Sequence, residues 1–409
     1  MIWDMRNMRS LARSGRVVIV LPWTRRARVG ALGGGRACVL RVPFARSWGW
    51  LAACSLLLGV VSPERVFAQQ AAAGRGAKPK YPRISLAAGY ELDAGWFLNT
   101  KDRTWGAVSG LAVGAGGRVW LFHRGETPVE VLTPEGELLR SWGKGDFKEP
   151  HQVRIDPAGD VWLVDSGLHI VRRYSPEGKL RQTLGESGVP GEDKTHFNRP
   201  TDVAVTPNGD VYVADGYGNN RVVHFDAAGH YLAEWGGLGV GKGQFSLPHS
   251  IALDSHGRLY VADRNNARVQ IFDLAGRFLD EWRDLITPWH IVVAPGDKIV
   301  VCGSSPMRWG KLGILGLPLG VPPKDQLVMI FNPEGRVERI ATFPLGKQSG
   351  ELEWVHGMAL DAAGNLYLGD IQGKRARKFN LLPADDGPRD IAGPAAKGDA
   401  AVVPAARKP

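Results

Sequence analysis

The stretch Pro248–Leu279, PHSIALDSHGRLYVADRNNARVQIFDLAGRFL, contains four short runs in which apolar and polar residues alternate. The first three runs are SIALD, RLYVAD and RVQIFD, and the fourth begins with RFL. Asp-x-x-Gly turns separate the first run from the second and the third from the fourth. Alternation of this kind between turn signals is typical of β-strands joined by hairpins. The stretch therefore predicts a sheet of four strands.

The same pattern recurs along the chain with a period near 50 residues. The six copies begin at Val108, Pro150, Pro200, Pro248, Pro288 and Val355. Four-stranded units that repeat at this period are typical of the blades of a β-propeller, in which each twisted sheet packs against its neighbours around a central channel. We predict an all-β, six-bladed β-propeller over residues 82–382.

The sixth unit is one strand short. After RARKFN the chain continues into residues 383–409, which are rich in Pro, Ala and Gly and predict a disordered tail. Residues 83–92 precede the first unit and can supply the missing strand. We expect this N-terminal strand to complete the last blade and close the ring.

The net charge of +10 belongs to the N-terminal segment. Residues 1–68 contain eleven Arg and only two acidic residues, which leaves 40 basic against 39 acidic residues in the remainder. The near-neutral remainder gives no support for a nucleic-acid partner.

The apolar run SWGWLAACSLLLGVV and the small residues before Gln69 predict an Arg-rich leader and signal peptide cleaved near Ala68, with residues 69–81 as a linker. We expect an exported, periplasmic or extracellular monomer without a membrane span in the mature chain.

Histidine occurs where the first strand begins in alternate units. Units two, four and six carry His151, His249 and His356 there, and units one, three and five carry Ser109, Thr201 and Trp289. Alternate blades of a six-bladed ring are related by a threefold axis, so the three imidazoles are expected to converge. Three neutral His ligands with an open fourth position form a common catalytic zinc site. The alternative is that these rim histidines bind nothing.

The loops between the second and third strands lie on the same face of the predicted disc. They contain Arg124, Tyr217 and Arg264. Two guanidinium groups suit a carboxylate-bearing substrate, and a phenol near a metal and a cation can have a lowered pKa and act as a base. The alternative is that these side chains pair with Asp215 and Asp263, which end the second strands.

The fifth unit contains an insertion, residues 304–325, in the loop on this face. Its apolar residues Trp309, Ile314, Leu315 and Leu317 are compatible with a lid or pocket wall over the site. Packing against the rim of the disc is the alternative.

The repeats resemble NHL repeats. The set FHRGE, PHQV, PTDVAVTPNGDVYVADGYGNNR and PHSIALDSHGRLYVADRNNARVQIF is similar to the lyase domain of peptidylglycine α-amidating enzymes, over about residues 82–380. That family cleaves peptidyl-α-hydroxyglycine to a peptide amide and glyoxylate. The resemblance implies that His151, His249 and His356 bind Zn²⁺. It also implies that Arg124 and Arg264 hold the substrate around its carboxylate and hydroxyl, and that Tyr217 takes the hydroxyl proton.

The chain departs from the family pattern at three positions. Gly357 replaces an Asp associated with a structural Ca²⁺, Trp354 replaces a Met near the substrate, and Gly218 replaces a disulfide Cys. Ca²⁺ is therefore not expected, and Trp354 is expected to contact the substrate. The substrate is either the hydroxyglycine peptide or a related small carboxylate-bearing molecule. A non-catalytic NHL-repeat binding or scaffold protein of the cell envelope is the alternative function.

Overall fold

The structure is a computed structural model. It describes residues 87–284, 286–304, 310–311, 318–319 and 326–383. The predicted leader and linker lie outside the described residues, and so do residues 384–409 of the predicted tail.

Six four-stranded antiparallel sheets are arranged as the blades of a propeller, as the repeat predicts. From the inside outward, the strands of blades one to three are Val108–Val113, Val119–His123, Val129–Leu132 and Leu138–Trp142; Pro150–Ile155, Val161–Asp165, Ile170–Tyr174 and Leu180–Leu184; and Asp202–Val205, Val211–Asp215, Arg221–Phe225 and Tyr231–Gly236. Those of blades four to six are Pro248–Leu253, Arg258–Asp263, Arg268–Asp273 and Phe278–Arg283; Thr287–Ala294, Lys298–Ser304, Gln326–Phe331 and Val337–Phe343; and Val355–Leu360, Leu366–Asp370, Arg375–Leu381 and Tyr90–Leu92.

The outer strand of the sixth blade comes from the N-terminal side of the propeller. Tyr90–Leu92 pairs antiparallel with Arg375–Leu381, with Tyr90 opposite Leu381. The α-helix Ala94–Thr100 follows, and the side chain of Asp93 caps it by accepting a hydrogen bond from the Trp96 N–H at 2.9 Å. Short 3₁₀ turns occupy Ala115–Gly117 and Arg264–Asn266.

Apolar side chains form six core clusters, one between each pair of neighbouring blades. In the fourth blade Ile251 and Leu259 pack towards the third blade, whereas Ala252 and Tyr260 pack towards the fifth. Successive residues of a strand point to opposite faces, and both faces of a blade are covered. This arrangement explains why the strands also contain consecutive apolar residues, such as Leu259, Tyr260 and Val261, beside the alternating positions.

A β-bulge lies at the start of the inner strand in five blades. The pairing skips one residue there, and the skipped residues are Ser109, His151, His249, Trp289 and His356. A bulged residue leaves the regular alternation of the strand, which changes the direction of its side chain. The bulge therefore changes the direction of the three histidine side chains, whereas Trp289 still packs in the core between the fifth and sixth blades. We call the skipped residues, together with Thr201 in the third blade, the entry positions.

The insertion of the fifth blade is described only in part. Gly310–Lys311 pairs antiparallel with Pro318–Leu319. Trp309, Ile314, Leu315 and Leu317 lie outside the described residues, so the choice between lid and rim packing stays a prediction. No helix in the described part of the chain combines the length and the apolar character that crossing a membrane requires.

Candidate metal centre

Buried aspartates at the ends of the second strands fix the chain just before the entry positions. Asp165, Asp215, Asp263 and Asp370 accept hydrogen bonds from the main-chain N–H groups of Glu149, Asn198, Ser246 and Trp354, at 2.9, 2.9, 2.7 and 2.9 Å. All four aspartates are fully buried. The Asp that follows Val164, Ala214, Ala262 and Gly369 in the repeats thus anchors the backbone from which the site is built.

The three predicted histidines meet. The ring centroids of His151, His249 and His356 are 4.9, 4.9 and 4.8 Å apart, which is close to an equilateral triangle. Their potential ligand nitrogens all lie within 4.8 Å of one another. Within the described ranges, no other group of three or more His, Cys, Asp or Glu side chains converges in this way. These three side chains could hold a metal ion.

Main-chain carbonyls of the intervening blades orient the three imidazoles. The Nδ1–H groups of His151, His249 and His356 donate to the carbonyls of Thr201, Trp289 and Ser109, at 2.5, 2.6 and 2.8 Å. These acceptors are the three other entry positions, so His and non-His residues alternate as donor and acceptor around the ring. A hydrogen bond from Nδ1 leaves Nε2 with a free lone pair and raises its basicity, as at metal sites in general.

Burial keeps the three imidazoles neutral. It lowers the pKa of His356 to about 4, and the hydrogen bond to Ser109 only partly offsets this. Burial also lowers the pKa values of His151 and His249 well below the usual range, and the neighbouring His356 adds to the effect in both. The neutral form is the one that binds a metal ion.

Tyr217 lies between two of the imidazoles. Its hydroxyl oxygen is 3.0 Å from Nε2 of His151 and 3.1 Å from Nε2 of His249. The phenol carries one proton, and neither Nε2 carries one because each Nδ1 does, so only one of these two contacts is a hydrogen bond. The lone pairs of the imidazole Nε2 atoms and of the Tyr217 oxygen thus converge, and the phenol supplies the one proton between them. This set of donors fits a bound cation.

The pKa of Tyr217 depends on opposing effects. Burial raises it above the usual value for a phenol, whereas the positive charges of Arg264 and Arg124 lower it. The lowered pKa expected from the sequence includes the charge of a bound metal ion, so it stays a prediction. The charge of a metal ion would act in the same direction as the two arginines.

The two predicted arginines differ in their surroundings. The side chain of Arg264 is half-buried and has no hydrogen-bond or ion-pair partner in the described part of the chain. Arg124 donates from Nε to the Pro150 carbonyl at 3.1 Å, and its Nη2 lies 3.5 Å from Oε1 of Glu149. Arg264 is therefore the freer of the two for a ligand.

Two residues that the sequence did not single out join this group. Arg199 makes hydrogen bonds of 2.9 and 2.8 Å to the two carboxylate oxygens of Glu149, and its guanidinium carbon lies 5.2 Å from the centre of the Tyr217 ring. Glu149 thereby links Arg199 to Arg124. Both Glu149 and Arg199 stand two residues before an entry position, and this shared offset is the signal in the sequence that would have identified them.

The alternative pairings predicted for the loop residues are not what the structure contains. Asp215 pairs with Arg221 at 3.1 Å, and Asp263 pairs with Arg268 at 2.6 Å. The hydroxyl of Tyr217 instead faces the histidines. This leaves the phenol available to the candidate site.

Trp354 and His290 stand within two residues of the entry positions of the sixth and fifth blades. The Trp354 ring packs on Trp289 with centroids 5.4 Å apart, and the Trp289 carbonyl in turn accepts from His249. His290 is buried, and its Nδ1 accepts from the Met358 N–H of the next blade at 2.9 Å. His290 therefore bridges the fifth and sixth blades and is not part of the group of three.

The residues do not fit a calcium ion at the position that Gly357 occupies. A Cβ atom there would lie 2.6 Å from the Ser109 carbonyl oxygen and 3.0 Å from Gly110 Cα. The first and sixth blades approach too closely for any side chain at this point. The chain therefore cannot place a carboxylate at position 357 without moving its backbone.

Comparisons with known proteins agree with the repeat and with the fold. The NHL repeat model matches residues 197–225 and 245–272. The chain is 32% identical over 305 residues to a probable peptidyl-alpha-hydroxyglycine alpha-amidating lyase of Caenorhabditis elegans, covering 68% of this chain and 83% of the relative. It is 40% identical over 313 residues to the mouse peptidyl-glycine alpha-amidating monooxygenase, covering 68% of this chain but only 30% of the relative. It is also 30% identical over 309 residues to human NHL repeat-containing protein 3, covering 71% of this chain and 84% of the relative.

Proposed function

Because this chain belongs to the NHL-repeat family of the peptidyl-α-hydroxyglycine α-amidating lyases, we propose that it is an exported, zinc-dependent lyase. The reaction is the cleavage of a peptidyl-α-hydroxyglycine, or of a related small carboxylate-bearing carbinolamide, to an amide and glyoxylate. The propeller is amidating-lyase-like. The zinc, the export and the substrate are parts of the proposal.

One observation carries the proposal: three neutral imidazoles and one phenol converge on one point. His151, His249 and His356 would hold the zinc through Nε2. Bound there, the ion would supply positive charge to the substrate hydroxyl and lower its pKa. Among the residues that the structure describes, no carboxylate joins this group, which consists of imidazole nitrogens and the Tyr217 oxygen.

The protein side chains then have distinct roles in the reaction. Arg264 binds the substrate carboxylate, because its guanidinium has no partner among the described residues and can form two parallel hydrogen bonds. Arg124 supports the same end of the substrate, and Trp354 contacts it from the sixth blade. Tyr217 accepts the proton of the hydroxyl as the carbon–nitrogen bond breaks, and the same proton can return to the departing amide nitrogen.

Glyoxylate release from N-benzoyl-α-hydroxyglycine tests the proposal. We expect the zinc-loaded protein to release glyoxylate faster than the spontaneous breakdown of the substrate, and the chelated protein to fall to that background. N-benzoylglycine, which lacks the hydroxyl, serves as the control and should release none. If the zinc-loaded protein does not exceed the background, the lyase proposal is wrong, and a non-catalytic NHL-repeat binding protein becomes the better interpretation.

Replacement of Arg264 by Gln should raise KM by roughly 10- to 100-fold with a smaller change in kcat. The reason is that loss of a charge-assisted pair to a carboxylate weakens ground-state and transition-state binding alike. Steady-state kinetics with metal analysis checks this, and the zinc content should stay at the wild-type level. Arg277→Gln is the matched control, since that side chain is on the same blade and 81% exposed. An unchanged KM for Arg264→Gln would show that another group binds the carboxylate.

A further inference from the structure

The side chain of Arg154 forms hydrogen bonds with three blades other than its own. It lies on the inner strand of the second blade, three residues after His151. Its Nε donates to Oδ1 of Asp202 in the third blade at 2.9 Å. Its Nη2 contacts the other oxygen of Asp202, Ser250 and Ile251 of the fourth blade, and Ile291 of the fifth. We call Arg154, Asp202, Ser250 and the carbonyls of Ile251 and Ile291 the hub.

The four oxygen atoms around Nη2 of Arg154 resemble the ligands of a metal ion. Around Nη2 lie a carboxylate oxygen of Asp202, the Ser250 hydroxyl at 3.1 Å, and the carbonyl oxygens of Ile251 and Ile291 at 3.1 and 2.9 Å. An Nη2 group has only two hydrogens, so it cannot donate a full hydrogen bond to four oxygens. A carboxylate, a hydroxyl and two main-chain carbonyls are the oxygen ligands that Ca²⁺ takes in proteins.

The carboxylate of the hub is buried and accepts hydrogen bonds on both of its oxygens. Asp202 is 0% exposed. Besides Arg154 it accepts from the Val203 N–H at 2.8 Å, the Ser250 hydroxyl at 2.6 Å and the Ile251 N–H at 3.0 Å. A buried carboxylate without a partner of opposite charge is strongly unfavourable. The hub therefore requires a cation, and the described residues place a guanidinium there.

The hub also lies directly next to the histidine ring in the sequence. Asp202 follows Thr201, whose carbonyl orients His151, and Ser250 follows His249 itself. The hydroxyl of Ser250 accepts from the Ile291 N–H at 3.0 Å, which ties the fourth blade to the fifth. The cation of the hub thus holds together the inner strands that carry two of the three imidazoles.

We propose that the guanidinium of Arg154 is a built-in cation at a position whose oxygen ligands suit a hard metal ion, and that no metal binds at the hub. The close approach at Gly357 excludes a carboxylate at that position of the sixth blade, and the residue at the equivalent position of the third blade, directly after the entry position, is Asp202. The protein then depends on a metal only at the histidines. This proposal does not rest on the lyase activity.

Calcium analysis of the full-length protein and of Arg154→Met tests the proposal. We expect no stoichiometric calcium in the wild type after exposure to calcium chloride, and no change in its Tm on calcium addition. Arg154→Met leaves Asp202 unpaired, so its Tm should fall by roughly 10 °C. Added calcium should then raise that Tm, because the vacated oxygen ligands can bind the ion.

Two further variants separate the hub from ordinary destabilisation. Arg173→Met is the matched control, since Arg173 pairs with Asp160 at 2.6 Å on an outer part of the same blade, and its Tm should not respond to calcium. Arg154→Met/Asp202→Asn removes both charges and should lose the calcium response; it also serves if the single variant does not fold. About one calcium per wild-type chain would overturn the proposal. So would an Arg154→Met protein that folds but gains no calcium response, because Arg154 would then be an ordinary buried ion pair.

Discussion

A protein in which His151 and His249 are both replaced by Ala should retain less than about a tenth of the zinc of the wild type, which we expect to bind roughly one ion per chain. One remaining imidazole cannot hold the ion against water, because a zinc site of this kind needs three protein ligands. Lyase activity should fall by about three orders of magnitude or more, to the level of the chelated wild type. Elemental analysis and glyoxylate release measure the two effects.

The control for this double variant replaces two exposed histidines of the same propeller. The side chains of His230 and His256 are 77% and 66% exposed, and they pair with Asp226 and Asp297 at 2.9 and 3.0 Å. His230→Ala/His256→Ala should keep both zinc and activity. Circular dichroism must show that His151→Ala/His249→Ala is folded, because the carbonyls of Thr201 and Trp289 lose their donors. A folded double variant that still binds a full equivalent of zinc would place the metal elsewhere.

Replacement of Tyr217 by Phe should lower kcat by about 10²- to 10⁴-fold while zinc content stays unchanged. The variant removes the proton acceptor but keeps the ring, which packs against Arg199 and against the imidazoles of His151 and His249. The wild-type rate should rise with pH as the phenol loses its proton, because only the phenolate accepts the hydroxyl proton. This pH dependence should disappear in Tyr217→Phe. A pH series of steady-state kinetics measures both effects.

Tyr231→Phe is the matched control for this change. Tyr231 lies on the outer strand of the same blade and packs on Phe225, at a ring distance of 6.4 Å. Its loss should leave kcat within a few-fold of the wild-type value. If Tyr217→Phe also stays within a few-fold, the hydroxyl proton goes to another group and the role proposed for the phenol is wrong.

The repeat alone was sufficient to predict the blades. Short runs with apolar residues, separated by Asp-x-x-Gly and similar turns, recur in six units, and such runs predict strands because side-chain direction in a strand has a period of two. The bulge at the entry positions was not predicted. It depends on how the inner strand pairs with the second strand, and no residue type at His151, His249 or His356 distinguishes a bulge from regular pairing.

The hydrogen bonds that orient the three imidazoles could not be predicted from the sequence either. Their acceptors are main-chain carbonyls of Ser109, Thr201 and Trp289, and every residue type has a carbonyl. The effect of burial on the pKa of Tyr217 was not predicted: in the chain alone, burial outweighs the two arginines and raises this pKa. Burial of a loop residue depends on neighbours from other blades, which local pattern does not reveal.

By itself, the sequence determined that three histidines stand on alternate blades, because a fixed repeat converts sequence distance into an angle around the axis. It likewise placed Arg124, Tyr217 and Arg264 on loops of one face. Only the tertiary structure decided that the Tyr217 hydroxyl faces two imidazoles, that Arg199 and Glu149 join it, and that Arg154 reaches three other blades. Such contacts join residues up to 137 positions apart. They depend on how the blades pack around the axis. The sequence of a single repeat does not determine the distances between side chains of different blades.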